Sequence, residues 1–195
     1  MSDKPAIEPA TTALLVMDYQ AGIVTGYASD QQELLGRTAS LLAAARKAGM
    51  AVIYIVVGFR PGYAEVSPRN LSFSAIRQSG RFLAGEPGTA IHQAVAPAEG
   101  DIVVTKHRVS AFAGTDLDMI LRAKGIEHLV LAGVATSGVV LSTTRHAADA
   151  DYRITIVRDC CSDRDDKVHR VLMEKVFPRQ AAVVALTDLL AALAA

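Results

Sequence analysis

Short apolar runs alternate with longer segments of helical period along most of this chain, and this alternation constrains the fold more than any other feature. Six runs rich in Val, Ile, Leu and Ala predict strands at residues 13–17, 51–57, 102–105, 128–132, 154–157 and 181–186. Between them, apolar residues recur at every third or fourth position and predict helices at 31–48, 115–124, 137–150, 165–176 and 187–194. Strands and helices that alternate in this way form parallel sheets covered on both faces. The pattern therefore predicts a doubly wound α/β fold around a mostly parallel, six-stranded sheet.

The 195 residues suit a single domain, 1–195, that is large enough to bury a full core. We expect residues 1–10 to form a flexible N-terminal segment. Hydrophobic residues make up 51% of the sequence and the formal net charge is zero, which disfavours disorder and polybasic nucleic-acid binding. The sequence has neither an apolar leader nor a run of roughly 18 apolar residues, so we expect a soluble, cytoplasmic protein without a membrane partner.

One long segment, 58–88, breaks the regular alternation. Prolines and glycines punctuate it too densely for a long helix. Irregular segments of this length inside a compact domain are often lids or binding loops. We therefore expect it to overhang the functional site.

Three features with chemical potential follow predicted strands. Asp18 comes directly after the first strand, Lys106 after the third, and a turn of small residues, 133–138, after the fourth. In open parallel sheets, ligands bind outside the carboxyl ends of the strands, where helix N-termini present their N–H groups. Each feature alone has a plainer interpretation, as a turn residue, a solvated charge or a helix cap. Their conjunction at one edge of the sheet predicts a functional site.

Four segments carry a resemblance to a known family: ALLVMDYQ, VVTKHRVSAFAGTDLDMILR, HLVLAGVATSGVVLSTTRHAADADY and ITIVRDCCSD. Their order, spacing and strand context resemble the isochorismatase-like hydrolases, a superfamily that includes nicotinamidases, carbamoyl-amide hydrolases and isochorismatases. The resemblance implies a Rossmann-like hydrolase that acts on a small-molecule amide, imide or enol ether. It does not single out a substrate.

In the cysteine hydrolases of this superfamily, an Asp, a Lys and a Cys form a catalytic triad. The resemblance maps the first two onto Asp18 and Lys106. It maps the third onto Val139, which has no nucleophilic atom.

The turn after the fourth strand also has a counterpart in the superfamily. The resemblance places a cis peptide bond between Val134 and Ala135, directly before Thr136. It further implies an oxyanion hole formed by backbone N–H groups of Ala135 and of the residues around Gly138 and Val139.

Without a thiol at this position, two roles for Asp18 stay open. As a carboxylate it can activate water as a general base; as a neutral acid it can protonate an enol ether, which is the role that the resemblance assigns to the matching acid in isochorismatases. A displaced thiol from Cys160 or Cys161 is a third route. A non-catalytic binding or scaffold protein of the same fold is the main alternative to a hydrolase. A nucleotide-binding Rossmann domain ranks last, because the first strand is not followed by a glycine-rich loop.

Five side chains are predicted to contact the substrate: Tyr19, Gln20, Phe59, Arg60 and Phe112. Aromatic walls suit a small planar ligand, and an arginine can hold a carboxylate. No metal site and no cofactor are predicted, because the segment after the second strand, GFRPGY, lacks the Asp and His residues of metal-binding nicotinamidases. The expected partners are a small-molecule substrate and, from family habit and the apolar run 189–195, other copies of the chain in a homo-oligomer. Nucleic acid is not an expected partner.

Overall fold

The structure is a computed structural model that describes residues 7–28 and 30–194, in which six strands form one sheet. The strands are β1 (Thr12–Met17), β2 (Ala51–Val57), β3 (Ile102–Lys106), β4 (His128–Val134), β5 (Arg153–Ser162) and β6 (Ala182–Val184). Their order is β3-β2-β1-β4-β5-β6, and every neighbouring pair is parallel. The predicted fold class is confirmed.

Seven α-helices accompany the sheet in the described residues: α1 (Ala21–Tyr27), α2 (Gln31–Lys47), α3 (Leu71–Gln78), α4 (Leu117–Ala123), α5 (Leu141–Asp149), α6 (Asp166–Val171) and α7 (Leu186–Leu193). Wider helical turns precede α5 at Thr136–Val140 and follow α6 at Leu172–Val176. The five predicted helices are all present, whereas α1 and α3 were not predicted. Both are at most eight residues long, too short for a clear apolar period.

Alternate side chains of β1 point to opposite faces of the sheet and begin two separate cores. Leu14 and Val16 belong to a cluster that is covered by α1, α2 and α7. Leu15 and Met17 belong to a second cluster, covered by α4, α5 and the turn after α6. Because both faces are covered, β1 is buried along its whole length. The carboxyl end of the sheet is left for the site.

Where the structure describes them, the two terminal segments of the chain pack against its core. Residues 1–6 of the predicted flexible segment lie outside the described residues. Further along, the Thr12 hydroxyl donates to the Glu8 carbonyl at 2.6 Å and a short 3-10 helix covers Pro9–Thr11, and the flexibility of residues 1–10 stays a prediction. At the other end, Leu186 and Leu189 of α7 are buried in the chain's own core. The apolar C-terminal run is thus explained in large part by intrachain packing. No helix in the described part of the chain is long and apolar enough to cross a membrane.

Candidate functional site

A buried ion pair stands at the carboxyl end of the sheet. Nζ of Lys106, the last residue of β3, lies 2.9 Å from Oδ2 of Asp18, which directly follows β1. The two strands are not neighbours, since β2 lies between them, so the lysine side chain crosses the end of β2. Lys106 also donates to the Arg108 carbonyl at 3.1 Å. The structure brings together the two charges that the sequence predicted.

The Asp18 carboxylate is only partly satisfied. Its Oδ1 is buried and has no hydrogen-bond partner among the described residues. Its backbone has a φ of 59°, a left-handed conformation that is uncommon for residues other than glycine and is often found at functional sites. Burial raises the pKa of Asp18 above its ordinary value of 3.8, and the attraction of Lys106 opposes that rise. The site therefore holds a buried carboxyl group with one oxygen paired with Lys106.

The turn between β4 and α5 lines the same cavity as this pair. The peptide bond between Val134 and Ala135 is cis, at the place that the resemblance indicates. Gly133 allows the turn to approach β1 closely: a Cβ built on it would lie 3.0 Å from Val140 Cγ2 and 3.2 Å from the Met17 carbonyl oxygen. Any larger residue would push the turn away from β1. Val139 is 2% exposed and lies in this turn, where it faces the same cavity as Asp18.

Two side chains from the segment after β5 hold the turn, and neither was predicted as part of the site. Asp163 Oδ2 accepts a hydrogen bond from the Ser137 N–H at 2.7 Å. The hydroxyl of Thr136 is 2.8 Å from Nδ1 of His169, a histidine whose pKa is lowered by burial. Asp163 lies within a segment that carries the resemblance, but its contact with the turn depends on the register of β5, which sequence does not reveal.

One of the predicted oxyanion-hole donors is already used within the turn. The Gly138 N–H donates to the Ala135 carbonyl at 3.1 Å, so it is not free to bind a substrate oxygen. The wide helical turn at Thr136–Val140 causes this, because it folds the backbone back onto Ala135. The Ala135 and Val139 N–H groups remain the predicted donors.

Asp18, Lys106 and Val139 face one cavity of about 320 Å³. The turn contributes Val134, Ala135 and Gly138 to its wall. A second part of the wall comes from α1, α3 and the loop after α3: Ile23, Tyr27, Phe73, Ile76, Arg81 and Phe82. The segment 58–88 thus does contribute to the site, as expected, but through a short helix that was not predicted.

Tyr19 and Gln20, predicted to contact substrate, instead stabilise the fold. Both are almost completely buried and neither lines the cavity. The Tyr19 hydroxyl donates to the Cys160 carbonyl and accepts from Thr38. The Gln20 side chain binds both backbone groups of Val57 at 2.8 Å. Successive side chains after β1 point in different directions, so proximity to Asp18 in sequence does not place them beside it in space.

The other three predicted substrate contacts also lie outside the cavity wall. Phe59 is 1% exposed and packs edge-on against Phe73, 5.7 Å between ring centres, so it supports the wall from behind. Arg60 is exposed and pairs with Glu65. Phe112 is stacked on His146 of α5 with ring centres 4.5 Å apart. None of the three lines this cavity, and their contact with substrate stays a prediction.

The two cysteines do not face the cavity. Cys160 and Cys161 are buried on opposite faces of β5, one in each core cluster. Burial raises the pKa of the Cys160 thiol to about 12 and also raises that of Cys161. Because the thiolate is the nucleophilic form, these groups are poor candidates for a displaced nucleophile. Within residues 7–28 and 30–194, no group of three or more His, Cys, Asp or Glu side chains is arranged to hold a metal ion.

The sequence profile of the Isochorismatase domain matches residues 12–188, which include every element of the site. The chain belongs to the isochorismatase family. An uncharacterized isochorismatase family protein, YecD, from Escherichia coli O157:H7 is 32% identical over 192 residues, covering 94% of this chain and 96% of that protein. The maleamate amidohydrolase of Pseudomonas putida is 29% identical over 180 residues, covering 90% of this chain and 84% of the enzyme.

Solved structures agree with this family assignment. An isochorismatase family protein from Burkholderia thailandensis superposes with a TM-score of 0.85 at 31% identity, over 99% of this chain and 100% of that one. The chain therefore shares its fold with a relative of known structure over nearly all of its length. It is a member of a family of hydrolases.

Proposed function

We propose that this isochorismatase-family chain hydrolyses a small-molecule amide or imide by activating water with Asp18. Lys106 is the electrostatic partner of the carboxylate. The backbone N–H groups of Ala135 and Val139 hold the carbonyl oxygen of the substrate. The amidohydrolase activity named for the relative from Pseudomonas putida supports the choice of an amide over other hydrolysable groups.

The observation that carries this proposal is the buried, half-satisfied carboxylate of Asp18. Burying an ion pair carries a large desolvation penalty, and a lone buried carboxylate oxygen adds to it. Oδ2 is held by Lys106, whereas Oδ1 has no partner among the described residues, and the residue faces a cavity. A fold that retains such an arrangement has a use for the free oxygen.

The proposed reaction follows from the chemistry of these groups. Oδ1 accepts a proton from water as the water oxygen attacks the carbonyl carbon, and the carbonyl oxygen takes up negative charge at the turn. The proton on Asp18 then passes to the nitrogen of the leaving group, the carbon–nitrogen bond breaks, and a carboxylic acid and an amine are released. Lys106 keeps the carboxylate ionised between turnovers.

In this proposal, Val139 is the reason why the attacking atom comes from water and not from a protein thiol. We take it to stand where cysteine hydrolases of the superfamily have their nucleophile. A valine side chain forms no thioester, so the attacking atom must come from water. Its methyl groups give the wall of the cavity that contains Asp18 an apolar surface.

The test is turnover of an amide and imide panel by the parent chain and by Asp18→Asn. We expect kcat/KM for any accepted substrate to fall by at least about 100-fold, the usual contribution of a general base. Asp101→Asn is the matched control, because Asp101 pairs with Arg46 at 2.6 Å but lies outside the cavity wall. Turnover that is unchanged in Asp18→Asn contradicts the proposal, provided that circular dichroism shows both variants folded.

A non-catalytic small-molecule-binding protein is the second candidate, and one observation favours it. Val139 packs with Val140 in the core cluster and puts an unreactive side chain into the cavity. This candidate expects ligands of the panel to bind to the parent chain without turnover. An enol ether hydrolase is a variant of the first candidate, favoured by the raised pKa of Asp18, and adding enol ethers to the panel tests it.

A further inference from the structure

The turn between β4 and α5 is not held in place by its own backbone alone. The N–H groups of Gly138 and Val140 both donate to the carbonyl of Ala135, at 3.1 and 3.4 Å. These bonds fold the second half of the turn onto its first residue. In the first half, the hydroxyl of Thr136 and the N–H of Ser137 find their partners in the segment after β5 instead.

His169 of α6 is the partner of the Thr136 side chain. Its Nδ1 lies 2.8 Å from the Thr136 hydroxyl, the distance of a well-formed hydrogen bond. Thr136 is completely buried and His169 is half-buried, so water has little access to the two groups. Breaking such a bond leaves a buried polar group without a partner, which costs more free energy than the bond itself contributes.

The segment that carries His169 holds the turn at a second point. Asp163 Oδ2 accepts from the Ser137 N–H at 2.7 Å. Between the two contacts, the side chain of Asp165 caps α6, and the Asp165 carbonyl accepts from the His169 N–H at 3.0 Å. Two neighbouring residues of the turn are thus fixed by one short segment, which restrains the backbone directly after Ala135.

The imidazole of His169 is neutral near pH 7. Burial lowers its pKa below the ordinary value of 6.5, and the negative charges of Asp163, Asp166 and Asp159 oppose this change. A neutral imidazole donates from one nitrogen and accepts at the other, so Nδ1 can bind the hydroxyl in either tautomer. An asparagine amide carries both a donor and an acceptor close to the place of Nδ1, whereas leucine carries neither.

We propose that His169 is a positioning residue, which acts through the Thr136 hydroxyl to hold the turn where the Ala135 N–H meets the carbonyl oxygen of the substrate. His169 does not line the cavity and so does not touch the substrate itself. The inference rests on the proposed function for the role of the Ala135 N–H. Because the charge on the carbonyl oxygen is greatest in the transition state, a displaced donor slows the chemical step more than it weakens substrate binding.

The kinetic test compares His169→Leu with His169→Asn. We expect kcat for an accepted amide to fall about 10-fold or more in His169→Leu, with KM within about twofold of the parent. His169→Asn should keep kcat within about threefold, since it restores a hydrogen-bond partner for Thr136. Thr136→Val breaks the same bond from the other side. The double variant His169→Leu with Thr136→Val should therefore lose no more than either single variant.

Amide NMR spectra report on the turn without any turnover. The N–H cross-peaks of Ala135 and Ser137 should move in His169→Leu and return in His169→Asn. His146→Leu is the matched control, because His146 is exposed on α5 and lies outside the cavity wall. It should change neither kcat nor these cross-peaks. If circular dichroism shows that His169→Leu is unfolded, Thr136→Val gives the same comparison, with Thr136→Ser as the variant that keeps the hydroxyl.

Unmoved cross-peaks in His169→Leu, a loss in KM alone, or a loss that His169→Asn does not relieve would each overturn the inference. Cross-peaks that move and return as expected, in a parent that turns over no amide, would contradict the proposed hydrolysis and leave the inference standing. Turnover that survives Asp18→Asn but falls in His169→Leu would contradict the role of Asp18 as the base, again without affecting the role of His169.

Discussion

Residue 139 offers a direct test of how the cavity is organised. Val139→Cys would put a thiol beside Lys106 and Asp18, a setting that favours the reactive thiolate. We expect it to hydrolyse small amides at least about tenfold faster than the parent and to become sensitive to iodoacetamide. Val139→Ala is the control for the added space, and it should gain neither property.

The parent should be insensitive to iodoacetamide, because both of its cysteines are buried and have raised pKa values. If Val139→Cys is no faster than Val139→Ala, residue 139 does not occupy a nucleophile position.

The positions of Asp18, Lys106 and the turn could be predicted, because they follow strands with clear apolar runs and parallel strands bring their carboxyl ends to one edge of the sheet. The side chains of the cavity wall could not be predicted in the same way. Tyr19 and Gln20 follow Asp18 in sequence but point into the fold, whereas Arg81 and Phe82 reach the cavity from a distant loop.

The length of each helix determined whether the sequence could predict it. α2, with 17 residues and a capping Asp30, has the clear apolar period of a long helix. α1 and α3 are short and lie among glycines and prolines, so their patterns were too brief to separate from loops. Asn70 could have indicated where α3 begins, because asparagine is a preferred N-cap residue. Its side chain accepts a hydrogen bond from the Phe73 N–H at 3.1 Å and caps the helix.

Because α3 carries Phe73 and Ile76 onto the cavity, its cap should affect substrate binding. Asn70→Ala removes a capping interaction that typically contributes about 1 kcal/mol. A less ordered wall binds the substrate and the transition state less tightly by the same amount. We therefore expect KM for an accepted amide to rise about threefold to fivefold with kcat little changed.

Asp30→Ala is the matched control for this cap. Asp30 caps α2 through the Glu33 N–H at 2.9 Å, and no residue of α2 lines the cavity. Urea unfolding should show a comparable loss of stability in both variants, whereas only Asn70→Ala should change KM. Equal KM changes in the two variants would contradict a role for α3 in the substrate wall.

The whole chain is neutral, but charged side chains lie in the wall of its cavity. The formal net charge is zero, so overall charge gives no hint of this site. The sheet order produces the local charge, because it brings Asp18 and Lys106 together across β2. The two most exposed large apolar side chains of the described residues, Leu71 and Met119, lie on different helices, α3 and α4. A homo-oligomer therefore stays a prediction that rests on family habit.

The pH dependence of kcat/KM tests most directly whether Asp18 acts as the base. A base must be ionised, so activity should be present above the pKa of Asp18 and be lost as the pH falls through it. Burial raises this pKa, so the midpoint of the acid limb should lie above the ordinary value of 3.8, at pH values where circular dichroism still shows the native fold. Loss of amide hydrolysis as the pH rises through this range, or no acid limb while the protein stays folded, would contradict catalysis by an ionised Asp18.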